Sequence, residues 1–259
     1  MKLRPLLTRL GRKVPVSLSE PWDFPGYQCG NKRMNQEIRS VLLCLDYTEE
    51  VHAYAKNEQP DLILTHHPFF FGKKKDVLSV DPLKRELVKR IEEDLTAPIY
   101  SYHTDFDKTQ GGMNDTLMTY LKMNDIAVAP DGLLRTGTLP QPMTLPELCH
   151  YLCSCFSLSY LPYCGDEKEK FTKIGLIAGG AADEYHLAFA SDVDCYLSGD
   201  CSHHTRVELK RYGYRFIELP HECEEVGFLI GMKKMLLSID SLRVLTFSFE
   251  KPFEVVLHD

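Results

Sequence analysis

Short apolar runs alternate with amphipathic stretches along most of the chain, and this alternation constrains the fold more than any other feature. Residues 40–46, SVLLCLD, read as a buried strand ending in a carboxylate. The helical pattern TEEVHAYAKNEQ follows, then a second buried strand, DLILTHHPFFF, with an unusual polar ending. The helix PLKRELVKRIEEDL precedes another strand, PIYSYHTDFD. Beyond a less regular middle, the alternation resumes with KIGLIAGG, AADEYHLAFAS, DCYLSGD, TRVELKRYG, YRFIELP, EEVGFLIGMKKMLLSI and LRVLTFSF. Apolar strands joined by amphipathic helices imply βαβ units and mostly parallel sheets.

The two halves look like copies of one another. Val41 and Asp61 mark the starts of two successive strands 20 positions apart, and Ile174 and Asp194 repeat that spacing. The predicted fold is therefore α/β, with two similar domains produced by internal duplication. Residues 1–128 form the first predicted domain, completed by 226–259, and residues 129–225 form the second. The predicted connection, near 125–130, precedes a segment rich in proline (Pro130, Pro140, Pro142, Pro146, Pro162). In open α/β sheets ligands gather at the carboxyl ends of strands, so the polar residues ending these strands carry the functional argument.

Composition limits the partners. A chain of 259 residues, 44% apolar, buries a core without disulfide staples. Its nine cysteines lack any C-x-x-C spacing, which predicts free thiols in a reducing cytoplasm. Cys149 and Cys153, four apart on a predicted helix after Pro146, read with Cys155 as small buried hydrophobes. The N-terminus has no continuous apolar core, so no signal peptide is read, and no apolar run is long enough to span a membrane. A formal net charge of −7 argues against sequence-independent binding of nucleic acid. The basic run Gly72-Lys73-Lys74-Lys75 reads as a solvated loop, with contact to an anionic substrate as the alternative.

Three strand ends concentrate the chemistry. Thr65-His66-His67-Pro68 closes one strand. A His pair alone is more often a hydrogen-bonded loop element, but this pair has company. A second strand ends in His103-Thr104-Asp105-Phe106-Asp107, where either Asp105 or Asp107 offers a carboxylate and Asp105 is equally a turn cap. The third end, Pro220-His221-Glu222-Cys223-Glu224-Glu225, places His221 and Glu225 on one face of a first helical turn. Glu222 and Glu224 read as an acidic first turn that complements the helix dipole. Gly179-Gly180 lacks a full G-x-G-x-x-G and reads as a close-packed strand–helix turn, and no G-x-S-x-G is present. Three of these histidines with two or three carboxylates already exceed the needs of one tetrahedral zinc and suit two ions. With no thiolate in the set, Zn, Fe, Mn, Co and Ni all match the donors.

The segments EPWDFPGYQCG, LLCLDYT, DLILTHHPFFF, YSYHTDFDKTQGGMNDTL, YLSGD and ELPHECEE occur in that order. Together they resemble the Nif-three-like family, toroidal dinuclear-metal proteins known as GTP cyclohydrolase 1 type 2 homologues. The resemblance spans most of the chain and fails mainly over about 129–170. It implies two similar α/β domains with the metal pair in the cleft between them, and a homohexameric ring built from dimers. It implies two divalent ions per chain, held by His66, His67, Asp107, His221 and Glu225, and so prefers Asp107 to Asp105. His103 would line the site as an orienter or proton carrier. His203 and His204, after SGDC, are read either as facing the site or as surface residues. The chain is too short for the extra domain that some members insert. The implied activity is a metal-dependent hydrolase of a small-molecule substrate, a nucleotide or phosphoester. The alternatives are a non-enzymatic, ring-shaped metal-binding scaffold or regulatory interaction protein, and a metal store.

Overall fold

The structure, a computed structural model, describes residues 1–248. The chain divides into two compact units, one of Met1–Thr109 with the chain from Met232 onward, the other of Gln110–Gly231.

The first stretch runs α1 (Leu3–Lys13), β1 (Gly26–Gly30), β2 (Ser40–Cys44), α2 (Glu49–Glu58), β3 (Leu62–Thr65), α3 (Lys74–Val80), α4 (Pro82–Asp94), β4 (Pro98–Ser101) and α5 (Thr104–Lys108). The second runs α6 (Met113–Tyr120), β5 (Asn124–Val128), β6 (Arg135–Met143), α7 (Leu145–Phe156), β7 (Tyr163–Cys164), β8 (Phe171–Leu176), α8 (Tyr185–Ala190), β9 (Cys195–Ser198), α9 (His203–Tyr212), β10 (Arg215–Glu218) and α10 (His221–Glu224). The helix α11 (Val226–Ile239) contains the second division point, and β11 (Arg243–Thr246) follows it.

Unit 1 is built on a five-stranded sheet in the order β1-β4-β3-β2-β11. The pairs β4/β3, β3/β2 and β2/β11 are parallel, and β1 joins β4 antiparallel at the edge. All four residues of β3, LILT, are buried, as a central strand covered on both faces requires. Local chemistry sets the helix starts. Thr48 caps α2 by accepting from the Val51 N–H, and Asp81 caps α4 by accepting from the Lys84 N–H, with Pro82 in the first turn. The N-terminal segment, which has no continuous apolar core, forms α1 and buries Leu3, Leu6 and Leu10 on one stripe.

Unit 2 carries a six-stranded sheet in the order β5-β6-β8-β9-β10-β7. Here the expectation of a mostly parallel sheet does not hold, because only β8/β9 and β9/β10 are parallel while the other three pairs are antiparallel. The proline-rich middle is the cause. It supplies β5, β6 and β7: a turn returns β5 to β6, and the chain re-enters the sheet antiparallel again at β6/β8 and at β7/β10 after α7. A Thr144–Glu147 capping box starts α7, whose Cys149 is buried and Cys153 half-buried. All nine cysteines are free.

The observed division at 109/110 and 231/232 differs from the predicted 128/129 and 225/226. Residues 110–128 go with unit 2 because Leu117, Met118, Leu121 and Met123 share a core with Leu139, Leu145 and Ile174, and β5 pairs with β6. Residues 249–259 of the predicted C-terminal completion lie outside the described residues.

The duplication is visible in hydrogen bonds. In unit 1, Asp61 Oδ2 accepts from the backbone N–H groups of Arg39 and Ser40 at the start of β2. In unit 2, Asp194 Oδ2 accepts from those of Thr172 and Lys173 at the start of β8. The same carboxylate clamps the same place in each repeat. Among the described residues, no helix is long and apolar enough to cross a membrane.

Candidate functional site

In unit 1, His66 and His67 follow β3 directly, and their backbone amides are tied to carbonyls at the end of β2. His66 N–H donates to Cys44 and Leu45, and His67 N–H donates to Leu45. Thr65 Oγ1 donates to the His67 carbonyl at 2.7 Å, which closes the turn. His66 Nδ1 lies 2.9 Å from the Tyr102 carbonyl. A carbonyl only accepts, so Nδ1 carries the proton and a neutral ring keeps its lone pair on Nε2. His67 Nδ1 lies 3.0 Å from Asp46 Oδ1, and His103 Nδ1 lies 2.9 Å from Asp23 Oδ1. One ring nitrogen from each of His66, His67 and His103 falls within 4.8 Å of the others. Asp107 Oδ1 lies 3.8 Å from His66 Nε2.

The Asp23 carboxylate is fully buried and also accepts from the Thr104 amide and hydroxyl. Burial alone would push its pKa up; the hydrogen bonds and charge of His103, with those from Thr104, outweigh burial and hold it at about 2.

In unit 2, His221 begins α10 after β10. Its Nδ1 lies 2.7 Å from Asp200 Oδ2 and its Nε2 lies 2.8 Å from Glu225 Oε1. Burial works against charging the ring, but Glu225 and then Asp200 more than compensate and raise its pKa to about 9. Gly179, at φ +79°, closes this site from below, where a Cβ would stand 2.9 Å from Glu225 Oε1. The sequence reading of Gly179 as a close-packed turn holds; what it packs against is the His221–Glu225 pair.

Glu224 corrects the reading of an exposed acidic turn. It is fully buried, and its Oε2 accepts from the Gly179 N–H at 3.0 Å. Burial drives its pKa well above the ordinary carboxylate range. The turn of α10 directs Glu224 toward Gly179 and Gly199, just past the ends of β8 and β9, a direction that helix-dipole reasoning does not supply. His203 and His204 are exposed on the first turn of α9. Lys73, Lys74 and Lys75 are exposed, and the last two open α3.

Two similar sets thus occur. His103 and Asp107 stand four apart after β4, and His221 and Glu225 stand four apart after β10. Each histidine holds an aspartate at Nδ1, Asp23 in one case and Asp200 in the other. The three anchors Asp23, Asp46 and Asp200 were not singled out as functional from sequence. The available signal was their placement: Asp46 and Asp200 each fall two residues beyond a strand end. Of the two carboxylates left open after His103, Asp107 approaches His66. Asp105 is buried elsewhere, with Oδ1 accepting from the Phe106 N–H. Imidazole and carboxylate donors, with rings anchored at Nδ1, match the chemistry of a divalent transition-metal site and its supporting shell.

The profile of the Duf34/NIF3 family (NGG1p interacting factor 3) matches residues 1–251. The chain belongs to this family. A relative from Clostridium perfringens, named GTP cyclohydrolase 1 type 2 homolog, is 30% identical over 266 residues, covering 99% of this chain and 100% of its own. The solved structure of Staphylococcus aureus hypothetical protein SA1388 has a TM-score of 0.88 at 21% identity, covering 99% of each chain. That of a Bacillus cereus protein related to NIF3 has a TM-score of 0.86 at 17% identity, again covering 99% of each. At these identities the two structures show a shared Duf34/NIF3 fold.

In this Duf34/NIF3 chain, Gly179→Ala tests how closely the glycine cradles the pair. An alanine must hold a left-handed φ and displace Glu225 Oε1. Unfolding free energy should fall by about 1–3 kcal/mol. The His221 pKa, followed by NMR, should drop from about 9 toward its ordinary value. An unchanged His221 titration would show that Glu225 does not depend on this cradle.

Proposed function

We propose that this chain is a dinuclear divalent-metal protein that acts as a metal-dependent hydrolase on a nucleotide or phosphoester. Its proposed ligands are His66, His67 and Asp107 from one set and His221 and Glu225 from the other. The observation that carries the reading is the shared anchoring of His66, His67, His103 and His221. Each ring is tied at Nδ1 to an oxygen at 2.7–3.0 Å, which leaves Nε2 as the donor. Such anchoring orients ligating histidines and raises their basicity. With His103 kept for proton transfer, the five proposed donors for two ions leave positions open to substrate. Divalent ions bound there would lower the pKa of water and polarise a scissile bond.

The chain's own residues have distinct tasks. Asp46 and Asp200 hold the rings of His67 and His221 in orientation. His103, held by Asp23, is placed to keep or pass a proton through its second nitrogen. Lys73, Lys74 and Lys75 are exposed cations available to a phosphate. The printed name of the Clostridium perfringens relative makes GTP the first nucleotide to assay.

Elemental analysis of protein prepared without chelator, in the presence of Zn, Fe, Mn, Co or Ni, should approach two equivalents per chain. His67→Ala should lower that figure without unfolding the protein. Metal-free His221 carries a proton up to about pH 9, so uptake must displace it. Affinity should therefore rise with pH by up to about tenfold per unit below that point and then level off. Zero uptake after metal supplementation would overturn the proposal. Assay of the loaded protein against GTP and a phosphoester panel, read by formate and phosphate release, separates the substrates. The homohexameric ring is part of the same proposal. Light scattering should return about six times 29.7 kDa.

A further inference from the structure

Unit 1 holds a separate cavity of about 220 Å³ beside α1. Its apolar wall comes from Leu7, Val14 and Val16, and its polar lining includes Ser101 and Asp105. Two glycines keep it open. Nothing lies within 4 Å of a Cβ built at Gly11 or at Gly26, and both line the space. Gly26 is the direct antiparallel partner of Ser101, so the β1 side of the serine carries no side chain, while Thr65 of β3 pairs with it on the other side. Ser101 is fully buried, and its hydroxyl meets no hydrogen-bond partner among the described residues. Asp105 is 2% exposed. One of its oxygens accepts from the Phe106 N–H; burial pushes its pKa up to about 7, and in its ionised form the group has capacity for further donors.

A buried hydroxyl and a buried carboxyl on one apolar-walled space are costly to keep unless something pairs with them. A carboxylate repels an anion. A ligand lacking donors and acceptors leaves the Ser101 hydroxyl unsatisfied and adds no donor to Asp105. We propose that this cavity binds a small amine, its ammonium directed to Asp105 and Ser101 and its apolar body against Leu7, Val14 and Val16. The volume falls below the roughly 300–1,000 Å³ typical of drug-sized sites, which restricts the ligand to a short alkyl or single-ring amine. None of the proposed metal ligands lines the cavity, so this site does not rest on the hydrolase reading.

Calorimetric titration of the full chain with benzylamine, benzyl alcohol and benzoate tests the idea. Benzylamine should bind at least about tenfold tighter than the alcohol, the strength of one charge-assisted hydrogen bond, and benzoate should not bind. Asp105→Asn retains an oxygen for the Phe106 amide and should remove the preference for the amine. Gly11→Phe, at an exposed helical position, should block amine and alcohol while metal content stays unchanged. Equal affinity for amine and alcohol, no amine binding at millimolar concentration, or amine binding indifferent to Gly11→Phe would each overturn the proposal.

Discussion

Glu225→Gln is expected to strip the proposed centre of metal while the chain stays folded. The residue is 3% exposed, and its Oε1 sits 2.8 Å from His221 Nε2. Glutamine keeps the size and one oxygen but not the charge. Two dications held close together repel strongly, and a carboxylate among their ligands offsets that repulsion in a way an amide does not. Metal content should fall from two equivalents toward zero, and any metal-dependent hydrolysis should fall by about two orders of magnitude or more. A second readout needs no metal: without the Glu225 charge, the His221 pKa should drop from about 9.

Two neighbouring substitutions sharpen the result. Asp105→Asn should leave metal content unchanged, since Asp105 faces the cavity beside α1. Glu224→Gln preserves an acceptor for the Gly179 N–H and should also retain the metal. If Glu224→Gln emptied the protein and Glu225→Gln did not, the face of α10 assigned to the metal would be wrong by one residue.

The largest loss of stability is expected from Arg135→Ala. Arg135 is a fully buried charged side chain on β6. Its Nε donates to Asp115 Oδ1 at 2.6 Å, and its Nη2 approaches Asp115 Oδ2 at 3.4 Å. Its Nη1 donates to the carbonyls of Gly132 and Leu133 at 3.0 and 3.1 Å. Alanine abandons these acceptors, leaves Asp115 without its buried partner and opens a void where a fully buried side chain stood. Breaking one side of a buried pair costs about 3–5 kcal/mol. The urea midpoint of the variant should show a loss in that range. The double variant Arg135→Met with Asp115→Leu should recover much of it, because replacing both partners leaves no stranded charge. A loss below about 1 kcal/mol for Arg135→Ala would mean that the pair does not organise the β5–β6 turn.

Several features were legible from local sequence because their causes are local. Runs such as LILT are too apolar to face water on either side, so they can only be central strands beneath helices, and the α/β class follows. Helix period alone places His221 and Glu225 on one face. The repeated 20-residue spacing to Asp61 and Asp194 marks a clamp that recurs in both units. The N-terminal helix has an equally local cause, the stripe Leu3, Leu6 and Leu10 at helical spacing.

Other features depend on partners distant in the chain, and periodicity cannot name a partner. His103 is held by Asp23, 80 positions earlier, and His67 and His221 each by an aspartate 21 positions earlier. Asp105 and Asp107 are indistinguishable as letters; the turn of α5 sends one beside α1 and the other toward His66. Glu224 and Glu222 read alike as surface acid, yet the packing of α10 buries Glu224 against Gly179. Sequence by itself determined which segments must be buried and which strand ends carry donors, since burial and helical phase are properties of a few adjacent residues. Which distant carboxylate meets which ring was decided by tertiary structure alone, because sheet order and turn direction set those pairings across tens of residues.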